Sequence, residues 1–167
     1  MIIYLYGLPA VGKNYIGKLI SEKYNYYFKD GDDYLPTNMK NKLKNKIHFT
    51  LNEVREYHYI IARKLKELSY CYDNIVISQA SLFKEFRNII KKENTSVIFV
   101  NVVSDIETIL KRIDSRKGYV TGDYAIHLQQ YLQVDSFDYI LENNSIDNNI
   151  LEKNIDNLLN TIISHKI

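Results

Sequence analysis

Five short apolar runs alternate along this chain with longer segments whose apolar residues recur at helical spacing, and this alternation constrains the fold most. The first run, residues 2–6, is apolar and aromatic throughout, as expected for a strand buried on both faces. The other runs lie at residues 26–28, 75–77, 97–103 and 137–141, the last two interrupted by Asn101 and Asp138. Strands separated by helices form a parallel sheet with helices on both faces. The pattern therefore predicts a three-layer α/β domain with a five-stranded parallel sheet.

Stripes of apolar residues predict the helices. They begin after Gly12 and recur at residues 51–69, 82–90, 106–113, 124–133 and 150–162. Ser104 and Asp105 can cap the helix at 106–113, and Glu107 stands three residues beyond Ser104 in capping-box position. Residues 34–50 have no clean period and are expected to form an exposed excursion with one short helix at most. Because no linker divides the chain, we expect residues 1–167 to form a single domain.

Composition narrows the class of protein. The single cysteine, Cys71, excludes a disulfide framework and a cysteine zinc site. A net charge of +2 gives no basic excess for nucleic-acid binding. Met1 leads directly into the first apolar run, with neither a basic leader nor a long apolar segment. We therefore expect a cytoplasmic protein, a monomer or homodimer, with no nucleic-acid or membrane partner.

The loop after the first strand has a phosphate-binding pattern. It reads Gly7-Leu8-Pro9-Ala10-Val11-Gly12-Lys13-Asn14 and is followed by Tyr15 on a predicted helix. Glycines let backbone N–H groups point into one hollow, the helix adds its positive end, and Lys13 reaches the β- and γ-phosphates. The alternative is a chance glycine turn with a surface lysine, which the strand–loop–helix context disfavours. The loop predicts a P-loop NTPase-type domain in which residues 7–15 bind ATP and Lys13 is catalytic.

One position departs from that pattern. Asn14 stands where serine or threonine usually ligates Mg²⁺ through a hydroxyl. An amide oxygen can ligate a hard cation, but the side chain is longer and also presents an NH₂ group. Either Asn14 serves as a metal ligand, directly or through water, or the affinity for the metal is weakened.

Further stretches match a known family in sequence order. They are Phe28-Lys29-Asp30-Gly31-Asp32-Asp33-Tyr34-Leu35-Pro36, Lys42-Leu43, Ile47-His48-Phe49-Thr50, Ser78, Ser81, Phe86, Arg87 and Arg112-Ile113-Asp114-Ser115-Arg116-Lys117-Gly118-Tyr119-Val120. Over nearly its whole length the chain resembles the small-molecule kinases of the gluconokinase and shikimate kinase group, and gluconokinases more closely. It departs from them on the acceptor side: Leu35 replaces a histidine, Phe83 replaces a lysine, and Val54 replaces an arginine, with Arg55 beside it.

The resemblance implies an ATP-dependent kinase that uses Mg²⁺ and phosphorylates a hydroxyl of a small molecule. A sugar acid such as gluconate is the acceptor it favours. It also implies a lid at about residues 114–123 and an acceptor-binding region at about 34–50. A shikimate or nucleoside monophosphate kinase is the alternative among enzymes. The other alternative is a nucleotide-binding protein of the same fold that has lost catalysis. Asn14 and the missing acceptor-binding groups favour this alternative.

Two carboxylates follow the second predicted strand. If the strand continues, Asp30 and Asp32 project to the same side. We assign Asp30 to the Mg²⁺ shell or to proton acceptance, and Asp32 to the hydroxyl of the substrate. Without the phosphate-binding loop, a solvated acidic turn would be the simpler interpretation.

Four arginines are the remaining candidates. Arg112 and Arg116 stand four residues apart, and an arginine fork suits phosphate oxygens. We expect both to bind the nucleotide, with Arg116 also catalytic from the lid, although basic residues also cap helix C-termini. Arg55 and Arg87 are predicted to hold an acidic group of the substrate, with an exposed helix position as the alternative for Arg87.

Overall fold

The computed structural model describes residues 1–45, 47–116, 120–144 and 147–165. Its strands are β1 (Ile2–Tyr6), β2 (Tyr27–Asp30), β3 (Ile75–Ser78), β4 (Val97–Val103) and β5 (Tyr139–Glu142). All paired strands are parallel, and their order in the sheet is β2-β3-β1-β4-β5. The predicted five-stranded parallel sheet is confirmed, with β1 and β4 at the predicted residues.

Seven α-helices connect or follow the strands within the described residues. They are α1 (Lys13–Tyr24), α2 (Thr37–Lys44), α3 (Leu51–Ser69), α4 (Lys84–Glu93), α5 (Ile106–Asp114), α6 (Gly122–Gln129) and α7 (Asn148–Ser164). The short helix expected in the excursion is α2. Residues 117–119 of the predicted lid lie outside the described residues, so the lid stays a prediction. None of the described helices is long and apolar enough to span a bilayer.

Both faces of the sheet are covered by helices. On β1, Ile3 and Leu5 belong to one buried cluster, which also contains residues of α1, α5 and α7. Tyr4 and Tyr6 point to the opposite face, into a cluster with residues of α3 and α4. Because neighbouring side chains of a strand alternate between faces, a strand that is apolar at every position requires this double cover. The three-layer architecture therefore follows from residues 2–6.

The register of the strands brings the loops after β1, β2 and β3 to one edge. Ser78 at the end of β3 is level with Asp30 on β2 and with Leu5 on β1. β1 also pairs with β4, so the chain leaves β1 at the point where the two halves of the sheet diverge. Ligands of open parallel sheets bind at such a point, beyond the carboxyl ends of the strands.

One local expectation is wrong, and the structure selects one of two candidate helix caps. The strand does not continue past Asp30: a 3-10 helix over Gly31–Tyr34 follows at once, so the alternation of a strand does not align the two carboxylates. Helix α5 is capped by Asp105, whose carboxylate accepts from the Thr108 N–H at 2.7 Å, and not by Ser104. The Ser104 hydroxyl donates to the Asn143 carbonyl at 2.7 Å instead.

Candidate active site

The phosphate loop, residues 7–14, adopts a backbone shape that demands glycine. Gly7 has φ of 141° and Gly12 has φ of 95°, both in the region that side chains disfavour. A Cβ on Gly7 would also lie 2.4 Å from the Val102 carbonyl oxygen on β4. Ala10 takes φ of 62° between them. Gly12 is the N-cap of α1, so the loop ends at the positive end of this helix.

Lys13 is held by the loop itself. Its Nζ donates to the Gly7 carbonyl at 3.0 Å and to the Leu8 carbonyl at 2.7 Å. Burial lowers the pKa of its ammonium to about 8, although the carboxylates of Asp32 and Asp30 oppose that shift. A partly buried cation beside a loop of N–H groups is the arrangement that neutralises phosphate oxygens.

Arg112 supports the loop from α5. Its Nη1 lies 3.4 Å from the Ala10 carbonyl, 3.3 Å from the Val11 carbonyl and 3.1 Å from the Ser104 hydroxyl. Its Nη2 donates to the Asn143 carbonyl at 2.9 Å, and the Asn143 amide donates to Val11 at 2.8 Å. Burial lowers the pKa of the Arg112 guanidinium. The structure thus brings Arg112 to the loop, where it holds carbonyl groups. Sequence reasoning missed Asn143, because nothing in the local sequence links it to residues 7–14.

Asn14 joins two strands at the phosphate side. Its amide Nδ2 donates to the Asp30 carboxylate, and its Oδ1 accepts from the Ser78 hydroxyl at 2.6 Å. The Asp30 carboxylate also accepts from the Asp32 backbone N–H at 3.0 Å. Burial raises the pKa of the Asp30 carboxyl. The two predicted metal ligands, Asn14 and Asp30, are therefore in direct contact.

The same residues fit a magnesium ion. Mg²⁺ prefers oxygen ligands and is usually bound through one or two carboxylates together with phosphates of the substrate. Asp30 supplies a carboxylate, and the Asn14 amide, whose NH₂ group faces that carboxylate, would have to turn its oxygen from Ser78 to join it. Within the described part of the chain, no group of three or more His, Cys, Asp or Glu could hold a metal ion. The remaining ligands would therefore be phosphate oxygens and water.

Asp32 is held by Gln79, which is in turn bonded to Tyr57, and sequence reasoning missed both residues. Gln79, just after β3, donates through Nε2 to Asp32 Oδ1 at 3.0 Å and to the Tyr57 hydroxyl at 2.5 Å. The Tyr57 hydroxyl donates to the Gly31 carbonyl at 2.5 Å. The pattern of α3 gave no signal for this role, since Tyr57 fits an apolar stripe.

One cavity of about 430 Å³ joins these groups. Its polar lining comes from Lys13, Asn14, Asp30, Asp32, Tyr57, His58, Ser78, Gln79, Ser81 and Arg116, and the phosphate loop adds Pro9, Ala10 and Gly12, followed by Tyr15. Its apolar lining comes from Leu35, Leu43, Phe49, Val54, Ala80, Leu82, Phe83, Phe86, Val120, Tyr124 and Leu128. Arg116, two residues beyond the end of α5, therefore reaches the cavity that holds Lys13 and both carboxylates. The predicted acceptor region, residues 34–50, contributes Leu35, Leu43 and Phe49 to this lining.

A buried hydrogen-bonded chain lies under this cavity. His58 Nδ1 is 2.7 Å from the Val54 carbonyl, and His58 Nε2 is 2.7 Å from the Ser81 hydroxyl. Because a carbonyl can only accept, Nδ1 carries the hydrogen, and Nε2 accepts from Ser81. The Ser81 oxygen then accepts from the Tyr4 hydroxyl at 2.7 Å. Burial lowers the pKa of His58 to about 4, so the imidazole is neutral near pH 7.

Arg87 does not reach the cavity, which corrects the substrate role expected for it. Its buried Nη1 donates to the Ser81 carbonyl at 2.9 Å and to the Leu82 carbonyl at 3.2 Å, and its Nη2 donates to the Gln133 carbonyl. Its guanidinium carbon lies 4.1 Å from the centre of the Tyr6 ring. Its Nη2 also lies 3.6 Å from a carboxylate oxygen of the buried Asp138, so its position is structural.

Arg55 is also placed away from the cavity, contrary to the substrate role expected for it. It lies on the outer side of α3, where Nη1 donates to Asn52 at 2.8 Å and Nη2 is 3.5 Å from a Glu85 carboxylate oxygen. It does not line the cavity that contains Lys13 and Asp32.

The sequence matches a known family. The model of the family described as shikimate kinase matches residues 9–159. A curated relative, the thermosensitive gluconokinase of Escherichia coli (strain K12), is 30% identical over 122 residues. That match covers 69% of this chain and 62% of the relative, so the chain spans less than two thirds of the length of that relative.

Solved structures share the fold. A gluconokinase from Sinorhizobium meliloti 1021 superposes with a TM-score of 0.80 at 16% identity, covering 99% of this chain and 97% of the other. A shikimate kinase from Bacteroides thetaiotaomicron superposes with a TM-score of 0.70 at 18% identity, covering 97% of this chain and 98% of the other. At these identities the likeness supports the fold alone.

Proposed function

This chain belongs to the shikimate kinase family, and from that premise we propose that it is an ATP-dependent kinase that phosphorylates a hydroxyl of a small molecule. The observation that carries the proposal is the shared cavity. Lys13 and the phosphate loop open into the same space as Asp30, Asp32 and Arg116. Phosphoryl transfer needs charge neutralisation, in-line positioning and a place for the hydroxyl proton, and this space offers all three.

Each group has a role that follows from its chemistry. The N–H groups of the phosphate loop and Lys13 bind the β- and γ-phosphates. Arg116 neutralises charge that develops on the transferred group. Asn14 and Asp30 would hold Mg²⁺, which draws electron density from the phosphate oxygens when it is bound. Asp32, held by Gln79, orients the hydroxyl of the acceptor and takes its proton.

A sugar acid such as gluconate is the acceptor that the sequence favours. The Escherichia coli relative, named as a gluconokinase, supports it. The two arginines that were expected to bind the carboxylate, Arg55 and Arg87, do not support it, because each is bound elsewhere. The proposal of gluconate is therefore supported by the relative and not by the lining of the cavity. Shikimate is also a carboxylate, so Arg55 and Arg87 do not support it either.

A nucleotide-binding protein without catalysis is the second candidate function. Asn14 favours it, because its amide oxygen is engaged by Ser78 and its NH₂ group faces the Asp30 carboxylate. An amide nitrogen cannot ligate a cation. In this case ATP would bind to the loop and no acceptor would be phosphorylated.

Transfer of label from γ-labelled ATP tests the proposal. We expect the purified protein to move the label to at least one acceptor in a panel of sugars, sugar acids, shikimate, nucleosides and aryl alcohols. Asp32→Asn should abolish transfer and leave nucleotide binding intact. Asp33→Asn is the matched control, because Asp33 is exposed and pairs with Lys29 at 2.7 Å. Label that stays on bound ATP with every acceptor would refute the kinase and support the second candidate.

A further inference from the structure

The acceptor side of the cavity is apolar and aromatic. Helices α2, α3, α4 and α6 and the loops before them build it, and Leu35, Phe49, Val54, Phe83, Phe86 and Tyr124 are among its side chains. Phe83 packs edge-on against Phe86 with ring centres 5.4 Å apart, and Phe86 stacks on the His58 ring at 4.8 Å. Such a surface gains free energy by covering an apolar face or an aromatic ring.

The charges around this side do not suit an anionic acceptor. Among the described residues, Lys13 and Arg116 are the cations that line the cavity, and both belong to its phosphate side. Lys42 on α2 is bound by Glu53 at 2.7 Å, and Lys84 on α4 is bound by Asp135 at 2.7 Å.

The acidic and uncharged residues that line the cavity also disfavour an anionic acceptor. Asp30 and Asp32 both line the cavity and would repel a carboxylate. The polar groups nearest the aromatic side, Tyr57, Gln79 and His58, are uncharged. They can hydrogen-bond a hydroxyl but cannot neutralise an anion.

We propose that the acceptor is an uncharged alcohol with an apolar or aromatic body, such as a nucleoside or an aryl alcohol, and not a carboxylate. This inference rests on the proposed function and names its substrate class. The hydroxyl lies at Asp32 and Gln79, and the body of the molecule covers Phe83 and Phe86. An acceptor carboxylate in this place would lose its hydration without gaining a cation, which costs at least a factor of about ten in affinity.

Acceptors that differ only in charge test the inference. The matched pair is para-methylbenzyl alcohol and para-hydroxymethylbenzoate, with thymidine as a larger neutral acceptor and gluconate and shikimate as anions. Label transfer from ATP gives kcat/KM, and thermal-shift titration of each compound beside ADP gives affinity without turnover. We expect the neutral member of the pair and thymidine to be preferred over every anion by about tenfold or more.

Two variants at Phe83 test whether the aromatic side of the cavity determines the preference for a neutral acceptor. Phe83→Lys places a cation on the aromatic side and should lower the preference for the neutral twin by about tenfold or reverse it. Phe83→Leu keeps the position apolar, and we expect it to retain that preference. Thermal melting of both variants confirms that each is folded.

The outcomes separate this inference from the proposed function. An anion bound or phosphorylated as well as its neutral twin, or no binding of either neutral ring compound, would overturn the inference, and transfer to gluconate would then still uphold the kinase. The neutral preference in binding without transfer to any acceptor would uphold the inferred pocket and refute the kinase.

Discussion

Asn14 links Asp30 to Ser78: its side-chain NH₂ group donates to the Asp30 carboxylate, and its oxygen accepts from the Ser78 hydroxyl at 2.6 Å. The start of α1 is thereby tied to the ends of β2 and β3. A serine or threonine side chain is shorter and carries one hydroxyl in place of the separate oxygen and NH₂ group of the amide. The contacts of Asn14 therefore compete with metal binding at Asp30.

Replacing Asn14 with serine should strengthen magnesium binding. The serine hydroxyl releases the Asp30 carboxylate and can ligate Mg²⁺ at its short distance of about 2.1 Å. We expect Asn14→Ser to lower the Mg²⁺ concentration that gives half-maximal ATP turnover. Asn14→Ala is the matched control, since it releases Asp30 without adding a ligand. Brisk turnover of the wild type at low Mg²⁺, together with a slower serine variant, would show that asparagine is an adequate ligand.

His58 should make the fold sensitive to mild acid. Burial lowers its pKa from 6.5 to about 4, so between these values the unfolded chain binds a proton that the folded protein excludes. Stability then falls as pH falls, by about 3 kcal/mol across this window. Denaturant unfolding at a series of pH values measures it.

His58→Phe is the control for that experiment, because phenylalanine fills the site without titrating. The variant loses a partner of Ser81 and should be less stable than the wild type at neutral pH. The difference in stability between wild type and variant should shrink as the pH falls from 6.5 towards 4. A difference that is constant across this range would show that His58 is protonated equally in the folded and unfolded states.

Replacing Arg87 should lower the free energy of unfolding more than replacing Arg55. Arg87→Met leaves the buried Asp138 carboxylate without its cation and the carbonyls of Ser81, Leu82 and Gln133 without their donor. We expect a loss of about 3–5 kcal/mol in the free energy of unfolding. Arg55→Ala removes a partly exposed ion pair and should cost less than about 1 kcal/mol. If Arg87→Met instead melts like the wild type and raises only the KM for the acceptor, Arg87 binds substrate.

The fold could be predicted from sequence because its signals are local. Residues 2–6 are apolar or aromatic without interruption, residues 97–103 are apolar except for Asn101, and α3 was predicted at its observed residues because its stripe is long. The 3-10 helix over Gly31–Tyr34 was missed, since the Asp30 carboxylate holds the Asp32 N–H and ends the strand there. A strand pattern cannot report such a side-chain contact.

The phosphate side of the site could be predicted from sequence, and the contacts around Asp32 could not, because only the former is encoded by neighbouring residues. The phosphate loop is contiguous in sequence, so its glycines and Lys13 identify it. Gln79 and Tyr57 act through contacts between distant segments, and a tyrosine on an apolar stripe carries no local sign of them. The substrate role predicted for Arg87 was wrong because a sequence shows the charge of a residue but not the three carbonyl groups that it contacts.

The affinity for ATP should fall in alkaline solution. Lys13 in the free protein has a pKa of about 8, so its charge is present below this pH and is lost above it. The dissociation constant for ATP should stay constant between about pH 7 and pH 8 and then rise by up to about tenfold per pH unit. Lys13→Arg keeps its charge and should bind ATP with little change over the same range. A constant affinity of the wild type up to about pH 9.5 would contradict this.

Calorimetric titration of ATP with Mg²⁺ into three proteins tests the central claim, that residues 7–14 bind the phosphates of ATP. The proteins are the wild type, Lys13→Ala and Lys18→Ala, the last being an exposed lysine on the same helix. We predict saturable binding by the wild type and by Lys18→Ala, and a loss of about a hundredfold or more in affinity for Lys13→Ala. Equal binding by all three folded proteins, or no binding by the wild type, would contradict the account.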